Sequence, residues 1–168
     1  IGNSLNDFKQ SGKKVIAAED FFTQTQYYLA SFADEIIIHP MGGVDIHGFG
    51  LFRLYFKDAL DKLKINYHIF KVGKFKSAIE PITRNSMSVA DRQQNTEWLS
   101  TLWKNLQDDI SKQRKISPKL IDSYTGNAPE NLITTGGDTA LLAKEMGFVD
   151  KIMGRIEVRK YLANLSPG

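Results

Sequence analysis

The chain has 168 residues, 42% hydrophobic and 24% charged, which is enough for one domain with a core, too few to assume two, and poor in the composition of disorder. Its 22 Lys and Arg against 19 Asp and Glu leave a net charge of +3, a balance that supports no nucleic-acid stripe. With no cysteine there is no disulfide framework, no thiolate nucleophile and no cysteine-type zinc site, while an oxidising compartment is permitted. The chain opens on Ile1, with no initiator methionine and no signal or transmembrane stretch, and so reads as a piece of something longer.

Leu5 and Phe8 share a helical face and Ser11-Gly12 is a stop, so residues 1–12 read as the end of a helix. The apolar run Val15-Ile16-Ala17-Ala18 suits a buried parallel strand. A polar patch, Thr23-Gln24-Thr25-Gln26, leads into residues 27–33, apolar almost all round as in a buried helix. Glu35-Ile36-Ile37-Ile38-His39, stopped by Pro40 and Gly42-Gly43, is a second strand. Strand, helix and strand at this spacing indicate an α/β layer fold with a parallel sheet.

Phe52, Tyr55, Phe56, Ala59, Leu60 and Leu63 repeat at the helical period and predict an amphipathic helix, and residues 67–72 alternate as a third strand. Residues 74–87, with Pro81, have no clear period and read as a loop. Ser88, with Asp91 three residues on, is an N-cap for a helix running to Lys115, roughly 40 Å at ~1.5 Å per residue. Ser117-Pro118 starts a short helix closed by Gly126 and Pro129. Gly136-Gly137-Asp138 precedes a helix over 139–146, and residues 156–165 form the last. There is no internal repeat and no Ser/Gly linker, so one incomplete domain is the economical reading.

Chemistry has few places to sit. His39, His47 and His68 fall on different elements without a His-x-x-x-His pair, so strand-end hydrogen bonding outweighs a metal site. Gly42-Gly43 and Gly136-Gly137 fit no phosphate-loop pattern and suit turns. No G-x-S-x-G elbow exists; Ser31 sits in an apolar helix where a back-bonded hydroxyl is expected, and Thr23 reads as a cap. Trp98 and Trp103, five apart, do not share a stripe, and packing is their simpler role.

The segment Lys71-Val72-Gly73-Lys74-Phe75-Lys76-Ser77-Ala78-Ile79-Glu80-Pro81 is the unusual one. A lysine ordinarily titrates near ~10.4, and desolvation among apolar neighbours beside like charges lowers that value. Reaching ~7 takes roughly 4 to 5 kcal/mol at ~1.36 per pH unit, within reach of a buried site. Residue types alone favour an exposed basic loop here, and leave Lys74 and Lys76 as rival bases.

Phe75-Lys76-Ser77-Ala78-Ile79-Glu80-Pro81, with Arg84 and Met87-Ser88, is similar to the segment around the catalytic lysine of the long-form signal peptide peptidase A (protease IV) family. Gln26-Tyr27-Tyr28-Leu29-Ala30-Ser31-Phe32-Ala33, Val44-Asp45-Ile46-His47-Gly48-Phe49, Leu60-Asp61-Lys62-Leu63-Lys64 and Thr135-Gly136-Gly137-Asp138-Thr139-Ala140 resemble its amino-terminal half in order. The likeness implies a ClpP/crotonase-like layered α/β fold, with a mainly parallel sheet flanked by helices and the amino-terminal strands missing. Residues 1–168 would be one partial S49-type domain, and the nucleophile-bearing half would be absent.

The resemblance also implies a role for the lysine segment. It puts the general base of a Ser/Lys dyad on Lys76, and the match to Lys-Ser-Ala-x-Glu-Pro decides against Lys74. Where the family's second half has its serine this chain has Gln24, with Thr23 beside it, so this copy of the site looks degenerate and inactive alone. The resemblance further implies cleaved, hydrophobic signal peptides as substrate and the carboxy-terminal half of the same polypeptide as partner. It implies a homotetramer, an anchor outside this chain at the periplasmic face of the bacterial inner membrane, and neither cofactor nor nucleic acid. Two other readings stand beside it: a crotonase-type acyl-CoA enzyme on the same fold, and a non-catalytic assembly domain.

Overall fold

Short apolar runs that follow Lys14 and Asp34 have few ways to satisfy their backbone groups once buried, and a parallel sheet is the one adopted. A computed structural model of the chain describes residues 1–68 and 77–165. It opens with helix α1 (Gly2–Lys9), strand β1 (Ile16–Glu19), helix α2 (Gln24–Ala30) and strand β2 (Glu35–Ile38). Strands β1 and β2 pair in parallel, with Ile16 opposite Glu35 and Glu19 opposite Ile38. A third strand, β3 (Lys151–Ile152), adds to the other side of β2 in parallel, so the order is β1-β2-β3. The protein is thus an α/β chain built around a small parallel sheet, as the alternation of runs predicts.

By contact the chain divides into two units, Ile1–Gly48 with Asn105–Gly168, and Phe49–Lys104. The second unit contains α3 (Lys57–Lys62), a 3-10 turn (Ser77–Ile79), α4 (Glu80–Thr83) and the first part of α5 (Val89–Arg114). The first unit takes the rest of α5, then α6 (Pro118–Gly126), α7 (Ala128–Thr134), α8 (Thr139–Glu145), β3 and α9 (Arg155–Leu165). No helix among the described residues is long and apolar enough to cross a membrane.

The core of the first unit gathers on β2. Ile36, Ile37, Ile38, Tyr27, Phe148, Ile110 and Ile121 are fully buried. Gly147, at φ +79°, ends α8 in the left-handed region and turns the chain inward at Phe148. The Phe148 ring lies 5.7 Å from that of Tyr27 and 4.3 Å from that of Tyr124. Both tyrosines keep a partner for their buried hydroxyls: Tyr27 donates to the Phe148 carbonyl and Tyr124 to the Val44 carbonyl, each at 2.7 Å. Arg114, at the end of α5, forms a two-pronged pair with Asp150 at 2.7 and 3.0 Å, and Asp150 in turn accepts from the Ile36 N–H at 2.7 Å.

At the amino end of β2 the buried Glu35 carboxylate accepts from Lys14, Lys151 and, at 2.6 Å, the Tyr161 hydroxyl. The Lys151 ammonium also sits 3.8 Å from the centre of the Tyr161 ring. One carboxylate therefore ties together the approach to β1, the strands β2 and β3, and α9.

Four elements differ from expectation. The helix predicted from Phe52 begins at Lys57, and residues 51–56 have no regular structure; Phe52 and Leu54 are 95% and 74% exposed, so the apolar spacing there is no buried helical face. Residues 77–83 are a 3-10 turn and a short helix rather than loop, with Pro81 inside the first turn where no N–H is needed. Pro129 likewise opens α7 rather than closing α6. Of the strand predicted over 67–72, Tyr67 and His68 are not in a strand and the remainder lies outside the described residues.

The caps expected at Ser117 and Ser88 form, and Asp138 supplies another. Ser117 Oγ accepts from the Leu120 N–H at 3.2 Å, Asp138 Oδ1 from Leu141 at 2.8 Å, and Ser88 Oγ from Asp91 at 3.1 Å. Replacing Ser117→Ala should lower stability by about 1 kcal/mol. A lower urea midpoint with the slope unchanged is the expected result; an unmoved midpoint would deny the cap its role.

Candidate active site

The site begins where β1 hands over to α2. Phe22 and Val44 form a parallel bridge, with the Phe22 N–H donating to Gly43 at 3.0 Å and the Asp45 N–H donating to Phe22 at 2.8 Å. Gly42 makes this approach possible, since a Cβ there would stand 2.0 Å from the Asp20 carbonyl oxygen. Thr139, the first residue of α8, fastens the same loop by donating its hydroxyl to the Gly42 carbonyl at 2.5 Å. Both glycine pairs serve turns, as expected: Gly136 and Gly137 take φ of +63° and +88° just before the Asp138 cap.

The loop so fastened runs beside Gln24, the first residue of α2, whose side chain is buried. Its Oε1 accepts from two successive backbone N–H groups, His47 at 3.1 Å and Gly48 at 2.8 Å. Its Nε2 donates to the Gly48 carbonyl at 3.0 Å. Three of the hydrogen bonds an amide can make are used, all with a loop more than 20 residues away in sequence.

The hydroxyls at the two ends of α2, of Thr23 and Ser31, are committed elsewhere. Thr23 caps α2, and its N–H and hydroxyl both donate to Gln26 Oε1, at 2.9 and 2.8 Å. Ser31 is buried and donates to the Tyr28 carbonyl at 2.7 Å, the back-bonded state expected of it. His39 Nδ1 accepts from the Met41 N–H at 3.1 Å, and His47 Nδ1 lies 3.2 Å from Asp45. Among the described residues no group of His, Asp and Glu gathers that could hold a metal ion.

Lys76, the predicted base, lies outside the described residues, as do its rival Lys74 and Lys71. The residues on its carboxy-terminal side are firmly tied. The Glu80 carboxylate accepts from the Ser88 N–H at 2.9 Å, at the start of α5. Burial pushes the Glu80 carboxyl up, but the hydrogen bonds from Ser88 and the nearby Arg84 and Arg53 outweigh it and leave it below its ordinary value. Arg53 pairs with the buried Asp91 at 2.9 Å, and the Phe56 N–H donates to the Pro81 carbonyl at 2.7 Å. The Glu-Pro pair of the lysine segment is therefore an anchor, holding the chain that leaves Ser77 against residues 53–56 and the head of α5. The contacts of neither residue stand out in sequence: Glu80 is visible there only as part of a motif, and Gln24 only by the resemblance, at the position of the family's serine.

The sequence profile described as Peptidase family S49 matches residues 7–163. The chain belongs to that family. It is 43% identical over 162 residues to Protease 4 of Salmonella typhi, covering 96% of this chain and 26% of that protein. Protease 4 of Haemophilus influenzae is 41% identical over 165 residues, covering 98% and 27% respectively. The chloroplastic serine protease SPPA of Arabidopsis thaliana is 27% identical over 106 residues, 63% of this chain and 15% of its own. The chain thus spans about a quarter of the length of the two Protease 4 relatives. Within this S49 chain, the amide of Gln24 fills the head of α2 and the Glu80 anchor fixes the exit of the lysine segment.

Proposed function

We propose that this chain is the amino-terminal, lysine-bearing part of an S49 serine peptidase of Ser/Lys dyad type, with the ClpP/crotonase-like layering of its family. The nucleophile comes from a homologous second half of the same polypeptide. One observation supports the division of labour above others: at the head of α2 the chain presents an amide with three hydrogen bonds already made, beside a Thr23 hydroxyl tied to Gln26.

In this reading neutral Lys76 takes the proton from the serine hydroxyl as it attacks the peptide carbonyl, then returns it to the leaving amine. No histidine or cofactor takes part. The substrates are hydrophobic fragments of cleaved signal peptides at the periplasmic face of the inner membrane. The enzyme works as a homotetramer anchored through a segment outside this chain.

A serine-directed fluorophosphonate tests the proposal on the full-length protein. The label is expected on a serine outside residues 1–168, with loss of peptide hydrolysis in proportion to labelling. Labelling of Thr23, Ser31 or Ser77 would overturn it.

A further inference from the structure

We infer that residues 52–67 of the second unit form a surface that rests on an anionic lipid bilayer. Exposure alternates along residues 51–56: Phe52, Leu54 and Phe56 are open to solvent, while Leu51, Arg53 and Tyr55 between them are half-buried. Beyond α3, Leu63, Ile65 and Tyr67 are exposed as well, and α3 itself buries none of its residues. Its six residues span about 9 Å at ~1.5 Å per residue, so both apolar stretches fall within the reach of one docking surface. Six large apolar side chains in so short a run, each at least 45% exposed, mark an interaction surface.

The charges identify the cover. The second unit holds ten Lys and Arg against five Asp and Glu, whereas the first holds 12 against 14. Asp61 and Asp91 are already paired, with Lys57 and Arg53. Lys62 and Lys64 are exposed, alternate with Leu63 and Ile65, and have no ion-pair partner among the described residues. Protein interfaces are depleted of lysine, so this interleaving argues against a second copy or another chain as the cover. At a bilayer the same pattern is favourable: the ammonium groups stay with the lipid phosphates while their stems and the apolar side chains reach the acyl boundary. With no described helix able to cross a membrane, the contact lies on the bilayer rather than through it. It is made by this chain itself and not by an anchor outside it.

The test uses the full-length protein reconstituted into vesicles, with Phe52→Cys carrying a nitrobenzoxadiazole label in a background free of other reactive thiols. Two lipids are compared: brominated phosphatidylcholine alone, and its equimolar mixture with phosphatidylglycerol. In the anionic vesicles the emission is expected to shift to the blue and to be quenched by the brominated chains, and in phosphatidylcholine alone to do neither. Raising the salt to about 1 M, where the screening length is ~3 Å, should release the quenching. Lys62→Ala with Lys64→Ala should lower the ratio of docked to free label about 25-fold, at roughly fivefold for each lysine near such a surface. The same results are expected with the label at Leu54→Cys, which covers a disturbance peculiar to position 52.

Blue-shifted emission in both lipids without quenching would place position 52 under protein, whether a second copy or another part of the polypeptide, and would overturn the inference. So would equal quenching in the two lipids, an unshifted label in both, or a docked fraction indifferent to salt or to the loss of both lysines. None of these outcomes bears on Lys76, since the label reads contact with lipid and not turnover.

Discussion

Lys76→Ala in the full-length protein is expected to lower peptide hydrolysis by about 10³-fold or more, at the upper part of the range for loss of a general base, with the thermal midpoint unchanged. Lys76→Arg should be equally inactive, because a guanidinium does not give up its proton at working pH. That pair of variants separates proton transfer from mere positive charge. Lys74→Ala should stay within about threefold of wild type, since the match to the lysine motif falls on position 76 and leaves position 74 outside the proton transfer. Initial-rate assays on a quenched peptide measure all three. Equal losses at positions 74 and 76, or full activity in Lys76→Arg, would remove Lys76 from the role of base.

The residues that follow the lysine segment are held in place. Glu80 and Pro81, a few residues on, are held by Ser88 at the head of α5 and by the Phe56 N–H. The buried Asp91, paired with Arg53, stiffens the same region.

The largest expected effect on stability lies in the sheet. Burial alone would push the Glu35 carboxyl up, yet hydrogen bonds from Lys14, Lys151 and Tyr161 outweigh it and hold the group at about 2, against an ordinary value of 4.5. A carboxyl whose folded-state value is lowered stabilises the fold fully above its unfolded value and loses that contribution as pH falls through the folded one. The difference corresponds to about 3 kcal/mol at neutral pH, at ~1.36 kcal/mol per pH unit.

Glu35→Gln should therefore cost about 2–3 kcal/mol at neutral pH, a little less than the breaking of a fully buried pair because both lysines can reach water. The gap between wild type and variant should hold down to about pH 4.5 and shrink steadily below it. Urea denaturation of both proteins from neutral pH to about 3 measures the gap. A gap that is constant across that range would show that packing, and not charge, accounts for the loss.

How far the fold is legible in sequence depends on where its signals are local. Isoleucines 36 to 38 announce a buried strand, and Ser88 with Asp91 announces the start of α5, because propensity and capping act over a few residues. β3 gives no such sign, because two residues, Lys151 and Ile152, are too few to show any period. The segment over 51–56 misleads in the opposite way: its aromatic residues imitate a helical face, while Phe52 and Leu54 are in fact open to solvent. Pro81 and Pro129 read as breaks in sequence although proline suits a first turn, which is where both stand.

The candidate site is legible in part for the same reason. The lysine segment carries its motif within a few consecutive residues, and Lys76 itself lies outside the described residues. The function of Gln24 cannot be read, since its partners stand 23 and 24 residues away and become neighbours only through the Phe22–Val44 bridge.

The two tryptophans, Trp98 and Trp103, both belong to the part of α5 that precedes Asn105 and so to the second unit, whereas the first unit holds Tyr27, Tyr28, Tyr124 and Tyr161 and no tryptophan. Indole emission therefore comes from the second unit alone. An unfolding curve followed by tryptophan fluorescence reports the second unit, and near-ultraviolet dichroism adds to it the packed Tyr27, Tyr124 and Phe148 rings of the first. Superimposed curves would mark the two as one cooperative system, and separated curves would give each its own transition, without the addition of any dye or label.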